Sequence, residues 1–473
     1  MKSIFSYIQL ITKESPSSII FYTPKKEYTR KDFLDKIISC ADNLINENSI
    51  KSNDKIILYA QNTFEFICCY FAVHAAGAIC VPIDPLIPLN QFNYILKIIN
   101  PKLVIKDSNL FVSLSSLAIC SSRALIPSNY ADITFTSGST GNPKGVLHTH
   151  SQQVKVSNHI IENVGNIQTD KEILLMPLSH SFALGRMRSC MVKGTALILG
   201  YSLQKIGKLF KAMEKYHVTG FGIVPSGWEY LIRLSGQKIS NFKNQLKYIE
   251  MGSAPFSSEQ KRKMKSLLPE TKIVMHYGLT EVSRALFVDF NKDPDYAVGN
   301  ITGNTNVRII DENCKLLNEG EEGEIVLRSS WMLKEYYREP ELTKKSFIEG
   351  FFRTGDLGII NGNYLKLSGR IKEIINVGGK KVMPSLVESV INKIPGIIES
   401  ACISIPDNFS GEAIKAYLVL SPQTIFDEDK INRLMKNSLP NHMLPKQYEC
   451  IKSIPKTSNG KLQRLKLKLF KSN

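Results

Sequence analysis

Between residues 66 and 83 the chain is almost continuously apolar and nearly long enough to cross a membrane. That run constrains the fold more than any other stretch. His74, Gly77 and Pro82 interrupt it and Asp84 closes it, so a single lipid-embedded helix is the poorer fit. A buried helix over 64–76, turning into a buried strand over 78–81, accounts for the same residues. Strands that read as apolar runs rather than alternations belong to parallel sheets covered on both faces.

The rhythm extends in both directions. A Thr29-x-x-Asp32 capping pair precedes Phe33, Leu34, Ile37, Ile38, Ala41, Leu44 and Ile45 at helical spacing. Strands are expected over 55–59, 103–105, 173–177, 220–224, 246–251 and 273–276, and helices over 91–100 and 203–216. Each later strand ends in small or polar residues, and ligands in open α/β sheets sit beyond such carboxyl ends. From Val307 the character changes. Short segments over 307–310, 323–327 and 364–367, separated by Gly, Asn and Glu, predict an antiparallel subdomain. After Arg370 comes a tail of about a hundred residues, enough for a small domain. In it Ser385-x-x-Glu388 reads as a helix cap, 414–420 as a strand and 429–439 as a helix.

Composition narrows the function classes. With 473 residues, 43% hydrophobic and 22% charged, the chain is an ordinary globular protein of at least two domains. A net charge of +17 suits nucleic acid, an anionic membrane or a phosphorylated small molecule. No basic run carries interleaved aromatics, which disfavours nucleic acid. The nine cysteines include Cys68-Cys69 but no CxxC and no Cys/His metal spacing, as expected of buried thiols in a reducing cytosol. The first residues lack a signal-peptide core. The expectation is a cytoplasmic protein with no transmembrane segment.

The stretch from Ile133 to Val146 holds three glycines, five hydroxyls and Lys144. Glycine lets backbone approach a ligand closely, and successive N–H groups with hydroxyls can cradle phosphate oxygens beside a lysine. No Gly-Lys-Ser/Thr triplet is present, so this is not a Walker loop; a flexible surface loop has the same composition. Further clusters follow strands: Gly252-Ser253-Ala254-Pro255, then His276-Tyr277-Gly278-Leu279-Thr280-Glu281, Arg353-Thr354-Gly355-Asp356, Gly369-Arg370 and Thr457-Ser458-Asn459-Gly460-Lys461. Together they make a nucleotide-site inventory. A tyrosine face can stack on a base, an aspartate can accept from ribose hydroxyls, and a glutamate suits Mg²⁺.

In this set and order the sequence resembles the adenylate-forming superfamily of acyl-CoA synthetases, peptide-synthetase adenylation domains and luciferases. Tyr28-Thr29-Arg30-Lys31-Asp32-Phe33 and Ala76-Gly77-Ala78-Ile79-Cys80-Val81-Pro82-Ile83-Asp84 extend the resemblance over nearly the whole chain. It implies an α/β fold: a large N-terminal domain, 1–369, with parallel-rich sheets covered by helices plus the antiparallel subdomain. A hinge over 370–373 and a small mobile α+β domain, 374–473, complete it. It also implies ATP-dependent activation of a carboxylic acid, giving acyl-adenylate and pyrophosphate, then transfer to the thiol of CoA or a carrier-protein pantetheine; transfer to an amine or hydroxyl is the enzymatic alternative and a ligand-binding pseudoenzyme the non-catalytic one.

Carried over residue by residue, the resemblance gives Thr136, Ser137, Gly138, Ser139, Thr140, Gly141 and Lys144 to the ATP phosphates. Gly252, Ser253, Ala254, Pro255, His276, Tyr277 and Gly278 fall to the adenine side, Thr280 to phosphate and Glu281 to Mg²⁺. Asp356 and Arg370 serve the ribose, and Lys461 the reacting carboxylate and α-phosphate, where a cation offsets crowded negative charge. Lys372 occupies the hinge position. Gly378, Gly379, Lys380 and Lys381 line the pantetheine route.

The acid itself is less legible. Amino-acid-activating relatives usually place an aspartate near the motif that here reads Pro177-Leu178-Ser179-His180-Ser181-Phe182-Ala183-Leu184; His180 lies in that region instead, which disfavours a plain α-amino acid. His180, Val224, Pro225, Trp228, Met251 and Gly278 are candidates for the acyl pocket, with core packing the alternative for Trp228 and Met251. Gly278 would leave space there. The chain departs from the common pattern at Glu335, Phe351 and Glu373, and is short between Asp84 and the glycine-rich loop.

Overall fold

The computed structural model describes residues 3–106, 128–136, 142–457 and 462–469. It divides into two compact units: Met1–Asn306 with Arg328–Gly350, and Val307–Leu327 with Phe351–Asn473.

The apolar run resolves as expected. Helix Phe64–Ala75 is buried at all but Glu65, and strand Ile79–Ile83 is buried at every position. Phe66, Ile67, Tyr70, Phe71 and Val73 join one core with Phe33, Ile37 and Leu44 of the helix Arg30–Asn46. Burial of each such side chain contributes about 1.5–3 kcal/mol. Thr29 and Asp32 form the reciprocal cap at that helix start. No described helix is long and apolar enough to cross a membrane.

The first unit carries two sheets. One runs in the order Leu103–Ile105, Lys55–Tyr59, Ile79–Ile83, Tyr130–Thr136, Lys144–Thr149, with the last pair antiparallel and the rest parallel. In the other, Lys272–Tyr277, Tyr248–Met251, Gly220–Ile223, Lys171–Ile173, Ala196–Ile198 and Ile19–Tyr22 lie parallel in that order. Antiparallel strands Leu286–Asp289 and Glu27–Thr29 flank this parallel set.

His74, with Tyr70 one turn before it, breaks the apolar run to meet a buried carboxylate. Asp132, fully buried, accepts from Tyr70 Oη at 2.6 Å and pairs with His74 Nε2 at 2.9 Å. Gln153 and Arg188 donate to it as well. Burial opposes its ionised form, but Arg188 and these hydrogen bonds outweigh burial and hold the carboxyl well below the usual range. The eight described cysteines are all free, and burial pushes the thiols of Cys68, Cys69 and Cys80 up.

In the second unit, Gly323–Arg328 pairs antiparallel with Phe351–Asn361, which pairs antiparallel with Tyr364–Arg370. The expected antiparallel character is present. A further sheet is built on the hairpin Ile397–Asp407 and Gly411–Leu420, with helices Pro384–Ile391 and Glu428–Lys436.

Three local expectations shift. The strand expected over 173–177 lies at Lys171–Ile173. Its Glu172 is buried against Arg186, a charged position that an apolar pattern passes over. Ser385 is not a cap: Pro384 opens the helix, Met383 holds the cap position, and Ser385 Oγ donates to the Ser368 carbonyl at 3.0 Å. The helix expected over 429–439 runs Glu428–Lys436, because Asp427 caps it through the Lys430 N–H and Asn437 closes it.

Candidate active site

The antiparallel pair Tyr130–Thr136 and Lys144–Thr149 puts Thr136 opposite Lys144 in register. Ser137, Gly138, Ser139, Thr140 and Gly141, expected to cradle phosphates, lie outside the described residues, as does Lys461. Lys144 Nζ sits 5.7 Å from the centre of the Tyr336 ring. Phe135, Lys144, Gly145 and Tyr337 help line a cavity of about 270 Å³ at the base of this pair.

Two parallel strands end side by side at the next clusters. Gly252 follows Tyr248–Met251, and a Cβ there would lie 2.1 Å from the His276 imidazole, so only glycine admits that ring. Ser253 adopts φ 75°, a left-handed conformation uncommon outside glycine and typical of functional turns. Ala254 is half-buried and Pro255 exposed. His276 Nδ1 lies 2.7 Å from Glu250, and Tyr277 is buried.

Gly278 sits against the backbone of its own turn. A Cβ there would fall 1.7 Å from the Ser283 carbonyl oxygen. Its missing side chain therefore accommodates the turn that carries Thr280 and Glu281, with Ser283 itself at φ 52°.

The stretch after residue 330 fastens that turn. Trp331 Nε1 donates to the Val282 carbonyl at 3.1 Å and the Leu333 N–H to the Glu281 carbonyl at 2.7 Å. Tyr336 Oη donates to Glu281 Oε1 at 2.8 Å. The same stretch meets the strand Lys144–Thr149: the Tyr337 N–H donates to the Gly145 carbonyl at 2.8 Å, and Tyr336 bridges Val146. Burial, then the Glu281 charge, pushes the Tyr336 phenol far up, so it stays a donor. Glu281 offers a single carboxylate, and among the described residues no cluster of three or more His, Cys, Asp or Glu could hold a metal. That donor set fits Mg²⁺, which binds through one or two carboxylates and completes its shell with substrate phosphates and water.

Beneath these turns lies a buried ionic layer the sequence reading missed. Arg284 Nε meets Glu250 at 2.9 Å and its other nitrogens reach the Ser181 and Phe182 carbonyls. Arg186 pairs with Glu172 and lies 3.3 Å from Glu250, and Tyr248 Oη donates to Glu172 at 2.9 Å. Burial works against Glu250's charge, yet Arg284, His276 and Arg186 hold it well below the usual range. A glutamate inside the apolar strand Tyr248–Met251 was the available signal, since a buried carboxylate demands a cation.

Among acyl-pocket candidates, His180 stands at the start of helix Ser181–Lys193, its Nε2 3.9 Å from Asp84 Oδ2. Val224, Pro225, Trp228 and Met251 are buried.

In the second unit, Asp356 and Arg370 face each other across the hairpin, Arg370 Nε 2.6 Å from Asp356 Oδ1. Lys372 lies in the short turn Ile371–Glu373. Gly378 and Gly379 turn the chain between Ile375–Val377 and Lys380–Val382, and Lys381 pairs with Glu312. Arg464, another residue the sequence reading passed over, joins Glu373 at 3.1 Å and also pairs with Glu388.

Parallel sheets whose strands lead into turns at positive φ, with Lys144 and Glu281 both meeting Tyr336, suit an enzyme of the adenylate-forming type. The chain belongs to the AMP-binding enzyme family: the AMP-binding enzyme domain matches residues 11–337 and the AMP-binding enzyme C-terminal domain residues 386–461. It is 28% identical over 464 residues to the long-chain-fatty-acid–CoA ligase FadD13 of Mycobacterium tuberculosis, covering 91% of this chain and 90% of that protein. It is 30% identical over 358 residues to the 4-coumarate–CoA ligase CCL1 of Humulus lupulus, covering 72% of this chain and 64% of that one. ATP-bound MatB from Rhodopseudomonas palustris has the same fold, with TM-score 0.90, 23% identity and 98% of both chains covered. By class the protein is an AMP-forming acid–thiol ligase.

Proposed function

We propose that this protein activates a carboxylic acid with ATP and transfers the acyl group to the thiol of CoA or of a carrier-protein pantetheine. One observation carries the reading of the site. Lys144 and Glu281, from separate elements, meet on the same tyrosine, an arrangement that supports an ammonium and a carboxylate serving one phosphate chain.

In the first step a carboxylate oxygen of the acid attacks the α-phosphorus, the bond to the β-phosphate breaks, and pyrophosphate leaves. Lys144 and the hydroxyls of Thr136 and Thr280 hold the phosphates and offset charge on the departing group. Glu281 would hold Mg²⁺, which supplies charge neutralisation on the phosphates when bound. Gly252, Ser253, Ala254 and Tyr277 shape the adenine side, Asp356 and Arg370 bind the ribose, and Lys461 meets the crowded negative charge of the attack. His180, steadied by Asp84, faces the acyl end. In the second step the thiol sulfur attacks the acyl carbon, its proton is lost to solvent and AMP departs. Lys372 is the pivot between the steps, and Gly378, Gly379 and Lys381 line the approach of the thiol.

The test is pyrophosphate release with ATP and Mg²⁺ across a panel of short, long-chain, aromatic and dicarboxylic acids. Release is expected with a subset of acids and not without acid. Silence across the panel, from protein that binds ATP, would leave a nucleotide-binding protein in place of a ligase. Adding CoA, a phosphopantetheinylated carrier, or an amine to the active acid then identifies the acceptor. An amide product with no thioester would overturn the second step alone.

A further inference from the structure

The stretch 331–337 touches both halves of the phosphate site, and nothing in the reaction scheme above employs it. Tyr336 is its centre. It is only 5% exposed, its N–H donates to Thr343 Oγ1 at 2.9 Å, and its backbone bridges Val146 on the strand that Lys144 begins. From that anchored position the hydroxyl reaches Glu281 Oε1 at 2.8 Å while the ring face lies 5.7 Å from Lys144 Nζ. Leu333 holds the backbone of Glu281 from the same stretch at 2.7 Å.

We infer that Tyr336 is a positioning residue for the adenylation step, fixing the Glu281 carboxylate and the Lys144 ammonium relative to one another. The inference rests on the reading of Glu281 as the metal-holding residue and adds to it. A glutamate side chain on a turn has three free torsions, and a metal–triphosphate complex needs its oxygen in one place. The phenol donor fixes that place without adding charge. By engaging Oε1 it also leaves Oε2 as the oxygen to offer, and one oxygen per carboxylate suits the tight octahedral shell of Mg²⁺ better than the bidentate mode common with Ca²⁺. The ring face meanwhile attracts the lysine ammonium without neutralising it, at an energy small enough for phosphate to compete. One side chain thus holds two opposite charges apart and ready, where direct ion pairing would quench both.

The experiment uses the full chain with Tyr336→Phe, Glu281→Gln and the double variant. Phenylalanine keeps the buried ring and its face toward Lys144 and removes only the hydroxyl. Two binding readouts are taken by calorimetry: AMP alone, and a non-hydrolysable ATP analogue with Mg²⁺. A third is the occupancy of Mn²⁺ with the same analogue, followed by electron paramagnetic resonance. For Tyr336→Phe we expect AMP affinity within about two-fold of the parent. Metal–nucleotide affinity should fall roughly ten-fold or more, the scale of one hydrogen bond to a charged group. In the double variant the two losses should be markedly less than additive, because both remove the same contact.

Equal weakening of AMP and metal–nucleotide binding would make Tyr336 a packing residue and overturn the proposal. So would a silent Tyr336→Phe beside a damaging Glu281→Gln. If Glu281→Gln itself leaves metal–nucleotide affinity and Mn²⁺ occupancy unchanged, the role of Glu281 falls and the role of Tyr336 with it, a pattern distinct from the other two.

Discussion

Replacing Asp132 with asparagine should unfold the first unit far more readily than the loss of one charge suggests. The carboxylate is fully buried and takes donors from Tyr70, His74, Gln153 and Arg188, contributed by three different helices. Asparagine is nearly the same size, so no cavity forms. It offers one acceptor oxygen where four donors converge, turns an amide N–H₂ toward other donors, and leaves the Arg188 guanidinium without its counter-charge. Breaking one side of such a buried pair costs about 3–5 kcal/mol. That is a large share of the roughly 5–15 kcal/mol by which a domain is stable.

The protein supplies its own probe. Its two tryptophans, Trp228 and Trp331, both lie in the first unit, so urea unfolding followed by tryptophan fluorescence reports that unit alone. Asp132→Asn should move the midpoint down by an amount equivalent to at least about 3 kcal/mol. Adding Arg188→Met to it should recover part of the loss, because the stranded cation is then gone. A single variant within about 1 kcal/mol of the parent, or a double variant that is strictly additive, would refute the claim that these charges depend on one another.

Lowering the pH should weaken the same unit before its carboxylates titrate. Burial, then the charge on His74, holds His150 down at about 3, and burial, then Arg284, holds His159 at about 4. Both stay neutral when folded, whereas the unfolded chain protonates near pH 6.5. Their stabilisation is therefore complete above that pH and drains away as pH falls toward 4, by roughly 1–2 kcal/mol each between pH 6.5 and 5. Urea midpoints at pH 7.5, 6.5 and 5.5 check this, and a flat profile would contradict it. Gly278→Ala must displace the Ser283 carbonyl, which a Cβ would approach to 1.7 Å; ATP-analogue affinity measured by calorimetry should drop at least roughly ten-fold, a scale set by loss of a charged hydrogen bond. Lys461→Ala should abolish acid-dependent pyrophosphate release yet largely spare thioester formation from supplied acyl-adenylate, and equal loss in both assays would remove the lysine from its assigned step.

The parts of this molecule legible in its sequence are those governed by local rules. Apolar periodicity placed the helix Phe64–Ala75 and the strand after it, and the Thr29–Asp32 cap follows from four consecutive residues. Motif order pointed to Lys144, Thr280, Glu281, Asp356 and Arg370, and the fold brings Lys144 and Glu281 to one tyrosine and Arg370 against Asp356. What stayed hidden depends on partners far apart in the chain. Glu172 reads as a break in a strand until Arg186 is seen beside it, and Glu250 as an oddity until Arg284 and His276 arrive. Gly278 reads as room for a substrate, and that the backbone of its own turn also crowds it is visible only in the fold. Tyr336 shows the same logic at the site itself. As sequence it is one of two adjacent tyrosines beside Glu335, where the chain departs from the common pattern, and nothing local gives it a role. Its importance comes from Lys144 and Glu281, 192 and 55 positions before it, converging on opposite parts of one ring. A charged pair that must stay apart to meet a phosphate needs a neutral spacer with a donor at one end and a π face at the other, and tyrosine is the side chain that provides both.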